Sequence, residues 1–67
     1  MTPTKEFLER LVQIHGKEQA ALIIRERIRF IRLGRVEKEL GPIERKTKAN
    51  LWRYLAHKFL DIKLEVI

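Results

Sequence analysis

The sequence predicts an all-α fold, a small bundle of three helices at about residues 3–15, 17–33 and 43–60. Two observations carry this. Apolar residues recur three and four apart over three long runs, the period of a helix with one buried face. Between the runs stand Gly16, Gly34 and the pair Gly41-Pro42, residues that stop helices.

The first run, MTPTKEFLERLVQIHG, has Thr2 as the expected N-cap and Pro3 at the first helical position, where a missing N–H costs nothing. Phe7, Leu8, Leu11, Val12 and Ile14 gather on one side, opposite Glu6, Glu9, Arg10 and Gln13. His15 and Gly16 are C-terminal signals, so His15, beside the apolar stripe, is expected to be a satisfied or capping histidine.

The second run, from Lys17 to Gly34, holds the densest apolar seam: Ala20, Ala21, Ile23, Ile24, Ile28, Phe30 and Ile31 share one broad arc. Arg25, Arg29 and Arg32 form a ridge beside it, spaced four and three apart, able to follow successive phosphates. Arg27 falls inside the apolar arc. A buried charge without a partner is costly, so Arg27 is expected to snorkel outward or to form an ion pair across a dimer. Residues 27–33 also alternate partly as a strand would, but the break at Phe30-Ile31 favours the helix.

RVEKELGP is then a short charged connector with one helical turn spanning Val36 and Leu40, closed by Gly41-Pro42. The third helix is firmest from Thr47 to Leu60. Leu51, Trp52, Leu55, Phe59 and Ile62 are expected on its apolar face. The opposite face carries Lys46, Asn50, Arg53, Tyr54, His57 and Lys58, with Arg45 and Lys48 near it. After Leu60 the tail DIKLEVI alternates strictly, which slightly favours a short strand adding to a partner over a continued helix.

Sixty-seven residues make one domain, 1–67, and a core this small is marginal without help. There is no cysteine for a disulfide or a thiolate metal site, and two distant histidines do not suggest zinc. Tight helix packing or self-association remain as routes to stability, and a homodimer is expected because the apolar residues are too many for the inside of one small chain. The start of the chain lacks a signal-peptide pattern and no run approaches a bilayer span, which together suggest a cytoplasmic protein.

The net charge of +6 and pI near 10.2 favour polyanionic partners. Catalysis is not expected. The sequence has one aspartate, no serine and no glycine-rich phosphate loop, and its acids alternate with bases as surface pairs do. No cofactor or metal is implied.

These observations point to a small nucleic-acid-binding protein, DNA ahead of RNA, acting in transcription regulation as a homo-oligomer. The residues expected to carry it are Arg25, Arg29, Arg32, Arg45, Lys46, Lys48, Asn50, Arg53, Tyr54 and Lys58. Cations neutralise phosphates, an asparagine can make a two-pronged contact to adenine, and a tyrosine can stack. One form of the idea is a helix-turn-helix using the turn at 35–40 and the third helix, although Glu37 occupies a place that usually holds a small residue. A looser form keeps only the phosphate contacts. The competing function is a helical adaptor or inhibitor docking on a larger assembly through Trp52, Tyr54 and arginines. A membrane-surface role for the basic second helix ranks last, since its apolar arc is needed for the core.

Overall fold

A computed structural model describes residues 3–64, and these form three helices: α1 (Lys5–His15), α2 (Lys17–Arg32) and α3 (Pro42–Leu60). No strand occurs among the described residues, and residues 27–32, where a strand was the alternative, are helical. α2 packs chiefly on α3, and α1 closes over both. No helix is long and apolar enough to cross a membrane among the residues described.

α1 starts two residues later than the sequence predicts. Its N-cap is Thr4, in extended backbone, whose Oγ1 accepts from the Phe7 N–H at 3.1 Å. Both threonines suit the role chemically, and Thr2 lies outside the described residues. Pro3 is therefore ahead of the helix, where it is buried, rather than at its first position. Leu8 is fully buried, Phe7 and Leu11 pack partly against the core, and Ile14 is exposed.

One residue joins α1 to α2. Gly16 has φ 84° and ψ 161°; its N–H donates to Val12 O at 2.8 Å and its carbonyl accepts from Ala20 N at 2.9 Å. No atom crowds its Cα hydrogen, so the positive φ is what calls for glycine.

On α2 the buried line is Ala20, Ile24, Ile28 and Ile31, a narrower stripe than the predicted arc. Ile23 is exposed and Phe30 only half-buried. The helix ends at Gly34 (φ 72°): Arg35 N donates to Phe30 O at 2.9 Å and Gly34 N to Ile31 O at 3.1 Å, the two bonds of a Schellman motif.

The connector 33–41 takes nine residues, against the three or four of a helix-turn-helix turn. It is organised by Glu37. This residue sits in left-handed backbone (φ 49°), and its side chain is only 11% exposed. The carboxylate receives the Lys48 ammonium from α3 and lies 3.6 Å from Arg27 Nη2 of α2. Arg27 thus threads out of the isoleucine stripe to a partner on its own chain. Arg45 donates to Leu40 O at 3.0 Å and lies along Gly34, fastening the other side of the connector.

The Lys48 bond holds the Glu37 carboxyl below its ordinary value of 4.5, against a smaller opposing pull from burial. A carboxyl whose folded value is lowered contributes stability that is full above the ordinary value and is lost as pH falls through the lowered one. Glu37→Gln is therefore expected to cost about 1.5–3 kcal/mol at neutral pH, the range for hydrogen bonds to charged groups. Thermal melts should show the variant losing less stability than the parent as pH drops below 4.5. Equal acid sensitivity in the two proteins would contradict the role given to Glu37.

Pro42 opens α3 at its first position instead of merely closing the connector. Gly41 N donates to the Glu44 side chain at 3.1 Å. The buried stripe is Ala49, Trp52 and Ala56, with Leu55 and Phe59 at its margins, while the predicted Leu51 is exposed. The alanines let α3 lie close to α2 with Trp52 set between them. At Asp61 (φ 53°) the chain reverses, so that Ile62 N donates to Ala56 O at 3.3 Å and the Ile62 side chain is buried. Residues 61–64 are neither helix nor strand, and the rest of the expected tail strand lies outside the described residues.

Candidate nucleic-acid interface

The buried line of α2 aims Ile24, Ile28 and Ile31 at the core, and this fixes where its arginines point. Arg25, Arg29 and Arg32, one step around the helix, come out together along the edge facing α3. They span about 10 Å of helix axis at 1.5 Å per residue. Across from them, Arg53 follows the buried Trp52 on α3 and is half-buried. The four arginines surround one hollow of about 330 Å³, floored by Ile28, Leu33 and Leu64. Among the described residues lining it there is no carboxylate.

A second, shallower hollow of about 400 Å³ continues from the first, sharing Arg53 and Leu64 as a common wall. It adds Asn50, Tyr54 and His57 from α3, together with Lys63, and among the described residues no carboxylate lines it. Arg53 Nη1 donates to Asn50 Oδ1 at 2.8 Å, so the amide holds one edge of the guanidinium in place. Asn50, Tyr54 and His57 are all exposed.

Of the predicted interface residues, this places Arg25, Arg29, Arg32, Asn50, Arg53 and Tyr54 on one continuous basic channel. The other four lie elsewhere. Arg45 and Lys48 are engaged by the connector, through Leu40 O and Glu37. Lys46 is exposed near the start of α3 but lines neither hollow. Lys58 lies over the aromatic rings of Tyr54 and Phe59, its Nζ 5.6 Å from each centroid.

Leu33, Lys63 and Leu64 join the site without an expectation from sequence, and His57, expected only on the polar face of the third helix, lines the second hollow. Lys63 and Leu64 reach the site only because the chain reverses at Asp61, a turn no motif announces. Leu33 had a signal: it is a large apolar residue at a helix end, beyond the buried stripe.

Compared with known proteins, the chain matches no family model, no curated protein and no solved structure. Among the described residues, no group of three or more histidines or acids comes together as a metal site.

Proposed function

We propose that the protein is a small basic nucleic-acid-binding protein, a regulator acting on DNA ahead of RNA, that grips phosphates through the channel between α2 and α3. The observation that supports this most is the convergence of Arg25, Arg29 and Arg53, beside Arg32, on one hollow with no carboxylate among the described residues that line it. Positive charge concentrated on one surface favours a polyanionic partner. Arginine suits the task, since its planar fork meets phosphate oxygens two at a time. Action as a homo-oligomer belongs to the same proposal. It is supported by a third hollow on α2, away from the arginine channel, where Leu22, Ile23 and Phe30 leave apolar surface uncovered beside Glu26 and Arg27.

Salt dependence tests the proposal. Three phosphate contacts, by Arg25, Arg29 and Arg53, give log K a slope of about −2.7 against log salt on duplex DNA, and about −2.1 on a single strand. Arg29→Ala and Arg53→Ala should each flatten that slope by about one unit. Absence of any complex with duplex or single-stranded probes at low salt would overturn it.

A further inference from the structure

A channel that only neutralised phosphates would have no use for an apolar floor, and this one has it. Leu33 is 56% exposed at the end of α2 and lines the arginine hollow together with Leu64 and the buried Ile28. In the adjoining hollow Tyr54 is 57% exposed. Two apolar or aromatic platforms thus stand side by side, separated by Arg53, within a basic rim.

We infer that the ligand of this channel is a single-stranded nucleic acid, with one base seated in the α2–α3 hollow and a neighbouring base against Tyr54. This rests on the nucleic-acid reading above and narrows it. The faces of duplex bases are stacked on one another, and only their edges show in the grooves. Apolar floors and tyrosine faces find a partner only where bases are splayed out, which single strands allow. Arg25, Arg29 and Arg53 then meet the backbone between the bases, and a guanidinium plane can also stack on a base.

The shape of α3 argues in the same direction. A helix that reads duplex DNA has to enter a major groove about 12 Å wide, polar residues foremost. Here Asn50, Tyr54 and His57 instead form one wall of a hollow, with Lys63 and Leu64 bordering it. This shallow, exposed hollow gives a strand a polar and aromatic wall to lie along.

The test compares labelled oligonucleotides of about 12 nucleotides, within the site sizes of known single-strand grooves. A mixed-sequence DNA strand, its RNA counterpart and the DNA duplex are titrated at one salt concentration by fluorescence anisotropy. At least one single strand should bind about tenfold or more tighter than the duplex, the scale of one stacked base. Tyr54→Ala and Leu33→Ala each alter an exposed side chain, and circular dichroism checks that the helices persist. Tyr54→Ala should weaken the single-strand complex about fivefold or more while leaving its salt slope unchanged, because stacking releases no counterions. Leu33→Ala should likewise weaken it at constant slope. A duplex that binds as well as both strands, or single-strand affinity indifferent to both substitutions, overturns the single-strand inference and leaves the general proposal in place. No binding of any probe overturns both.

Discussion

Trp52→Ala is expected to leave the protein without a cooperative fold at room temperature, or close to that limit. Trp52 is the largest fully buried side chain, 1% exposed, and it stands where all three helices meet. Its ring meets Phe7 of α1 edge to face, centroids 5.9 Å apart at 83°. Replacing a buried tryptophan by alanine costs about 3–5 kcal/mol. A chain of this length has roughly 3–10 kcal/mol of stability to lose. The melting temperature should fall by at least about 12 °C, at some 4 °C or more per kcal/mol in so small a domain.

Trp52→Phe is the instructive contrast. The buried indole Nε1 has no protein acceptor among the described residues, a defect that costs about 1–3 kcal/mol. Phenylalanine removes that donor while keeping a ring against Phe7, so its net cost should be near 1 kcal/mol, within the range for apolar swaps of similar shape. Melts followed by far-UV circular dichroism separate the two. A Trp52→Ala protein that melts within about 5 °C of the parent would show the core closing without this residue.

The helices could be read from sequence because their apolar spacing and glycine stops agree. Gly16 and Gly34 do in three dimensions what their positions suggest. Choices between equivalent residues could not be read: Thr2 and Thr4 offer the same hydroxyl, and the cap of α1 is Thr4. The buried stripe of α3 was misjudged for a similar reason. Its centre is Ala49, Trp52 and Ala56, and small residues carry little hydropathy signal although they decide how near two helices approach. Arg27 illustrates a longer-range gap. Its position among isoleucines announced that it needed a partner, but that partner, Glu37, depends on a left-handed turn of the connector that local propensity does not foresee.

The site follows from helix spacing and from the rotation of α3. Helical spacing alone places Arg25, Arg29 and Arg32 on one ridge. Which α3 cations join them depends on the rotation of that helix about its axis, set by burying Trp52. That rotation carries Arg53 toward the ridge and Lys48 toward Glu37, so two residues that look equivalent in sequence end in different surroundings.

Reversing charge at the centre of the channel should abolish binding. Arg29→Glu with Arg53→Glu removes two phosphate contacts and sets two carboxylates at the strand's path. Charge-assisted bonds contribute about 1.5–3 kcal/mol each, so losing two costs roughly 3–6 kcal/mol, or about 10²–10⁴-fold in affinity before repulsion is added. The pair also lowers the net charge from +6 to +2, and that alone weakens attraction for any polyanion. A second double variant isolates the local effect. Arg10→Glu with Lys17→Glu makes the same net change at exposed positions outside both hollows. Surface charges act over about 8 Å at physiological ionic strength, so this control should lose no more than about tenfold. Equal losses in the two variants would mean that overall charge, and not the arginine channel, holds the nucleic acid. A large loss confined to Arg29 and Arg53 would locate the contact where α2 and α3 face each other.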